Sequence, residues 1–275
     1  MSASTKNINS VIRFEMLRRR KSLIIWCAVM FGVMALYMVA FPFIENMPLD
    51  MLQNLPEEMF EALGLQQLSD MQNFNKYFAM EFQIFIVILC GYAVFASANI
   101  MHDEEARGSV EFLASINASR MQIITGKIIT VLISILCVVL SVFVGIVFTG
   151  LMVAGDTINI GALAFTFLMA LVVILFFACV GFFLSSLLGK TAKVGSLAIV
   201  ILIATYIMGY MSTLGVTWLE FTIWLSPVQI LPPTEMMAVG LGENALNVWK
   251  VLLLISASIG LATFGILKYR KKDLQ

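Results

Sequence analysis

Residue types that do chemistry are sparse in this sequence, and their spacing limits what they can do. Gly189-Lys190-Thr191 has the ending of a phosphate-binding loop, in which backbone amides and a lysine cradle a nucleotide's phosphates. Such a loop also needs a glycine five residues before Gly189, where Leu184 stands, and a buried strand before it instead of an apolar run of membrane length. Gly189, Lys190 and Lys193 are therefore read as a tight turn between two spans. Glu104 and Glu105 could activate water, with Arg107 and His102 close by. A membrane hydrolase of the form Glu-Glu-x-x-x-Arg would carry its arginine two positions further on and would need partner histidines, whereas His102 is the one histidine of the chain. That lone histidine also argues against a multi-histidine metal site. Cys27, Cys90, Cys137 and Cys179 lie in apolar runs without metal-ligand spacing and are read as packing thiols. No Gly-x-Ser-x-Gly element or Ser/His pair supplies a nucleophile with its base. The expectation is a chain that is not an enzyme and that binds no cofactor, metal or nucleic acid itself.

The elements that carry these residues are membrane elements. Only 12% of the residues are charged and 60% are hydrophobic, against about 25% charged in a soluble domain. A helix of about 20 apolar residues crosses the roughly 30 Å hydrocarbon layer. Six runs qualify: Leu23 to Ile44, Phe78 to Ile100, Ile128 to Ala154, Gly161 to Leu188, Val194 to Met211 and Val251 to Leu267. The expected fold is a single all-α transmembrane domain over residues 1–275. About twenty polar and basic residues precede the first run with no small-residue cleavage motif, so that run is read as a retained anchor.

Charge placement orients the spans. With both termini inside, the inner segments hold fifteen lysines and arginines, and the outer ones hold only Lys76 and Lys250. That asymmetry predicts cytoplasmic termini in a multi-pass protein of the cell membrane. Eleven of the seventeen acids then fall outside, which hides the polarity behind a net charge of zero.

Four segments between or before the spans have character of their own. Residues 1–22 place Ile8, Val11, Ile12 and Met16 at helical spacing with Arg13 and Arg20 on other faces, predicting an amphipathic helix on the cytoplasmic leaflet, where anionic lipid attracts it. The outer segment 45–77 contains LPEEMFEALGL, in which Leu55, Met59, Leu63 and Leu65 can line a short surface helix. The outer segment 212–250 carries Trp218, Phe221, Ile223, Trp224 and Leu225 and then Pro227, Pro232 and Pro233, a composition that suits re-entrant or interfacial helices, with a seventh span as the competing reading. Segment 102–120, HDEEARGSVEFLASINASR, must stay in water, since Asp103 and Arg107 alone would cost roughly 5 to 7 kcal/mol at the bilayer centre. Within it Gly108 breaks the emerging helix, Ser109 can cap a new one, and Val110, Phe112, Leu113 and Ile116 give that short helix an apolar docking area, with Glu111 beside them. Glu81 is the one charged residue inside the six runs. It lies near the outer end, five positions from Lys76, and reads as an interfacial carboxylate or as part of a gate or substrate path.

This arrangement resembles the permease subunits of type-2 ATP-binding-cassette exporters. In that family a stretch of the form EE-x-x-G-[ST]-x-E-x-L-L-x-x-P-x-x-R-x-x-x-x-x-x-K between spans two and three forms the coupling helix. Glu104, Glu105, Gly108, Ser109, Glu111, Leu113, Arg120 and Lys127 stand at the corresponding places, while Asn117 replaces the proline and Ala114 the second leucine. The N-terminal segment, with Ile12, Arg13 and Met16, is similar to the family's elbow helix, and Trp224-Leu225-Ser226-Pro227 to the stretch before its last span. The resemblance implies a half-transporter in a bacterial or archaeal cell membrane. Two permease chains, identical or homologous, would pair with separate cytoplasmic ATPase subunits that carry the ATP and magnesium and dock on the coupling and elbow helices. The implied cargo is hydrophobic or amphipathic, a peptide, antibiotic or lipid. A secondary transporter or channel, or a membrane anchor for a cytoplasmic partner, are the alternatives; the former would need midplane ionisable groups or broken helices.

Overall fold

The computed structural model describes residues 3–47, 68–106, 119–188, 193–212 and 217–271. The coupling segment from 107 to 118, the LPEEMFEALGL element and the Gly189-Lys190-Thr191 turn lie outside these residues. The described residues are almost entirely helical and hold no strand. Six helices among them are long and apolar enough to cross a membrane: α1 (Ala3–Val39), α3 (Phe74–Ala106), α4 (Arg120–Val153), α5 (Ile160–Leu187), α6 (Val194–Met211) and α9 (Val248–Lys271). The protein is a multi-pass membrane protein, as the six apolar runs predict. Several helices outrun the apolar runs that announced them: α3 continues six residues past Ile100 and α4 begins eight before Ile128. At 1.5 Å per residue, α1 and α4 each measure on the order of 50 Å, well beyond the hydrocarbon thickness. Both therefore project from one end of the bundle.

Contacts between helices fix their directions. Along α1 and α4, Asn7 reaches Gln122, Val11 lies against Gly126, and Phe31 against Gly145. The order is the same on both helices, so they run parallel. Likewise Phe78 of α3 stacks on Phe167 of α5 and Phe82 meets the same ring at a tilt, and Val94 and Ser97 meet Gly181 nearer the other end. Helix α6 instead runs against α3, with Leu202 beside Gly91 and Gly195 beside Phe95 and Asn99. Odd-numbered and even-numbered spans thus point in opposite directions.

Segment 217–247 does not form a seventh span. It folds into a 3-10 helix, Thr217–Leu225, and two short helices, α7 (Pro227–Ile230) and α8 (Pro233–Gly240). Proline at the first turn starts each of these two and prevents one long helix from forming. Ser226 through Leu231 are buried against the bundle end, with Ser226 and Gln229 on Gly209 of α6 and Gly240 on Ala162 of α5. The short α2 (Phe41–Glu45) follows a break at Ala40 and starts with Pro42 in the same way.

Polar side chains inside the bundle are bonded locally. Thr130, Ser134, Thr149 and Thr166 each donate to the carbonyl four residues back, at 2.8 to 2.9 Å, so these four hydroxyls are satisfied within their own helices. The tightest helix approach is at Gly181, where a β-carbon would overlap the Val94 carbonyl oxygen and the Ser97 hydroxyl. A backbone carbonyl cannot rotate away, so Gly181→Ala should lower unfolding stability in detergent by about 1–3 kcal/mol. Gly260→Ala, on an open face of α9 with nothing within 4 Å, should leave the thermal midpoint unchanged or slightly raised.

Candidate functional site

The end of the bundle that carries the N-terminus includes the start of α1, the end of α3 and the start of α4, the last two flanking segment 107–118 in the chain. Helix α3 enters the segment with Glu104 and Glu105 in its last turn. Helix α4 leaves it through a capping box: the Ser119 hydroxyl accepts from the Gln122 amide at 3.3 Å, and the Gln122 side chain accepts from the Ser119 amide at 2.8 Å. These two bonds satisfy donors that a helix start otherwise leaves open. Gly108, Ser109, Val110, Glu111, Phe112, Leu113 and Ile116 fall between these two ends, outside the described residues.

Lys127 ties the two stems together. It is fully buried, and its ammonium donates to the Ile100 carbonyl at 2.8 Å. Ile100 lies six residues before the end of α3, and Lys127 seven after the start of α4. Each stem therefore extends about 9–10 Å beyond the tie. A charge taken out of water this completely is tolerated only where strong acceptors meet it.

The N-terminal segment behaves differently from the expected leaflet-bound helix. Residues 3–31 contain neither proline nor glycine, so nothing bends the helix where it meets the membrane span, and α1 runs on unbroken. Within residues 7–22 the buried side chains, Val11 and Glu15, turn toward the bundle, with Val11 packed on Gly126 of α4. Ile12 and Met16 are half-buried, Met16 with its sulfur 3.9 Å from the Ser134 hydroxyl, and Arg13 is exposed. Glu15, almost wholly buried, holds Arg18 at 3.0 Å and Arg19 at 3.5 Å. Sequence reasoning passed over Glu15, although an acid three and four positions before two arginines is a readable helix pairing. It placed Lys127 only in a motif, because burial of a lysine depends on a carbonyl from another helix.

Glu81 lies near the far end of α3, half-buried, without a hydrogen bond or ion pair to another described residue. Lys76 does not turn to it; that lysine bridges Asp70 at 3.0 Å and Glu243 at 3.1 Å, joining the segment before α3 to the one before α9. Lys250 pairs with Glu235 in the same region. Glu81 heads a stripe on α3 that continues through the exposed Ile84, Ile88 and Phe95. Helix α1 borders this stripe through the Trp26–Tyr92 ring contact, 5.1 Å between centroids, and α6 through Gly195 against Phe95. Both neighbours thus touch α3 near Tyr92 and Phe95, while Ile84 and Ile88 remain exposed. No group of three metal-ligating side chains occurs among the described residues.

In the chain, segment 107–118 connects two helices that are each long and apolar enough to cross a membrane. A family model described as ABC-2 family transporter protein matches residues 10–274. No curated protein and no solved structure matches the chain.

Replacing Lys127 by methionine keeps the length of the side chain and removes its bond to Ile100. A charged hydrogen bond contributes about 1.5–3 kcal/mol, so local opening of the stems should rise roughly tenfold or more. Tryptic cleavage after Arg120, which needs the first turn of α4 to unwind, measures this directly. Cleavage at the wild-type rate would show that the tie does not hold the stems.

Proposed function

The chain belongs to the ABC-2 family of transporter proteins, and from that premise we propose that it is the membrane-spanning permease subunit of an ATP-driven exporter of hydrophobic or amphipathic compounds. The observation that carries this reading is the family match over nearly the whole chain, residues 10–274. The permease works with a separate ATP-binding subunit, which supplies ATP and magnesium. Segment 102–120 and the N-terminal part of α1 face the cytoplasm with both termini, and the ATPase subunit docks there. Val110, Phe112, Leu113 and Ile116 give the docking helix its apolar area, and Glu104, Glu105 and Glu111 pair with basic residues of the ATPase. Ile12, Arg13 and Met16 belong to the elbow portion of the same platform.

Two permease chains, identical or homologous, assemble with two ATPase subunits. ATP drives the cycle only if the assembly binds it with different affinity in two conformations. Closure of the ATPase pair then moves segment 102–120, and the tie at Lys127 obliges α3 and α4 to follow together. The α3 stripe from Glu81 to Phe95 lines the cargo path, apolar along its length with a carboxylate at the outer end. Peptide, antibiotic and lipid cargoes all present the apolar surface such a path accepts.

Exposed ion pairs contribute roughly 0.2–1 kcal/mol each, so three of them support up to about a hundredfold in affinity. Charge reversal at Glu104, Glu105 and Glu111 together should therefore reduce co-purification of the ATPase subunit in mild detergent by about this factor and abolish cargo-stimulated hydrolysis. Unchanged binding and coupling would remove the electrostatic part of the proposal. Failure of any ATPase subunit to co-purify with the folded wild-type chain would remove the exporter reading itself.

A further inference from the structure

We propose that Cys27 of α1 and Cys137 of α4 together form a two-sulfur site for a soft divalent metal ion, the class to which the mercuric ion belongs. Both thiols are free and half-buried, and both lie within apolar runs. The Cys27 thiol interacts with the Ser141 hydroxyl and with Cys137. Tyr92 of α3 interacts with both sulfurs as well, so the two thiols border one small space where three helices meet. Helix packing places them there independently. Asn7, Val11, Cys27 and Phe31 fall at multiples of four residues on one row of α1, and Asn7, Val11 and Phe31 all touch α4. Cys137, Ser141 and Gly145 form the matching row on α4, and Gly145 is the residue that meets Phe31.

Height along the helices decides what chemistry the pair can do. Residues in contact differ by 115 in number at Asn7–Gln122 and Val11–Gly126, and by 114 at Phe31–Gly145. Cys27 is therefore level with residues 141–142, and Cys137 stands four to five residues nearer the start of α4, about 6–7.5 Å along the axis. A disulfide allows about 4.4–6.8 Å between α-carbons in all. The axial step alone takes up that distance, before the lateral gap between two helices is added. A metal bridge reaches further: two metal–sulfur bonds of about 2.3 Å hold the sulfurs up to about 4.6 Å apart, against about 2.0 Å in a disulfide.

Charge and ligand count select the ion. Binding breaks two S–H bonds, forms two metal–sulfur bonds and releases two protons, with no change of oxidation state. Two thiolates on a divalent cation make a neutral complex, whereas a monovalent soft ion would strand a negative charge in an apolar setting, where charge is costly. Zinc and calcium need four or more ligands, and no group of three metal-ligating side chains occurs among the described residues. Thiolates prefer soft metals, and a mercuric ion is satisfied by two sulfurs in line. The inference does not depend on export: it requires only the packing of α1 on α4.

The test uses the full chain in nanodiscs, loaded with one equivalent of mercuric chloride and dialysed against a monothiol, with mercury retained per chain as readout. Wild type should retain one ion, because the second thiol is an intramolecular ligand and strengthens binding about a hundredfold or more over a single one. Cys27→Ala and Cys137→Ala should each weaken retention by that factor, and the ultraviolet absorption of the bis-thiolate complex should disappear in parallel. Cys90→Ala and Cys179→Ala, which leave the pair in place, should match wild type. If an alanine variant fails to fold, Cys27→Ser or Cys137→Ser keeps nearly the same volume and makes the same comparison. Wild-type retention in the Cys27 or the Cys137 variants, or loss in the Cys90 or Cys179 variants, would overturn the site. Mercury-dependent cross-linking of two chains would overturn the assignment of both sulfurs to one chain. A Cys27–Cys137 disulfide formed on mild oxidation would overturn the spacing and assign the pair to thiol–disulfide chemistry instead.

Discussion

A lysine can be buried at the edge of a bilayer only if its acceptors are already in place, and Lys127 makes the two halves of this bundle end meet that demand. Its bond to the Ile100 carbonyl requires α3 to finish its apolar run beside the second turn of α4. The bond also uses a carbonyl from a helix that is otherwise internally bonded, so neither helix can slide by a turn without stranding a charge. Stranding would cost several kcal/mol, more than any nearby apolar contact returns. The stems of segment 107–118 thus share a buried contact that is expensive to lose.

Parallel packing turns that local constraint into a long-range one. Helix α4 is packed along α1 from Asn7–Gln122 to Phe31–Gly145, and α3 along α5 from the Phe78–Phe167 stack to Gly181. In each pair small residues let one backbone approach the other, so van der Waals contact is continuous where lipid offers no hydrophobic driving force. A displacement applied at the stems therefore moves two helix pairs as bodies. At the far end the ion pairs of Lys76 with Asp70 and Glu243 join the entrance of α3 to the segment before α9. The Asp70 side of this junction is buried and the Glu243 side exposed, so the far end too is held by a partly buried charge contact.

The spans were legible because lipid enforces a simple code: long apolar runs, charges outside, and helices as the only way to satisfy the backbone. The prolines at 227, 232 and 233 announced short helices for the same reason, and the structure has them. The apolar runs revealed less about helix ends, since α3 and α4 continue into water on Ser119 capping and on contacts with α1 that no hydropathy pattern encodes. The amphipathic pattern of residues 8–16 was read correctly as helical, but the pattern alone could not say whether its apolar side met lipid or α4. The absence of a breaker before Gly32 was the stronger clue to an unbent helix. Lys127 and Glu15 were visible only as charges in a basic region, because what distinguishes them is burial, a property of three helices together.

The polar groups along α3 are arranged asymmetrically, and that asymmetry bears on what can move beside it. One end of the exposed stripe carries Glu81 without a cationic partner among the described residues, while the other opens on a cavity lined by Arg19. The two ends are eighteen residues apart from Glu81 to Asn99, about 27 Å along the helix, close to the hydrocarbon thickness. Glu81 thus stands about one hydrocarbon thickness from Asn99 on a single unbroken helix, and the side chains exposed between them, Ile84, Ile88 and Phe95, are the kind that lipid accepts.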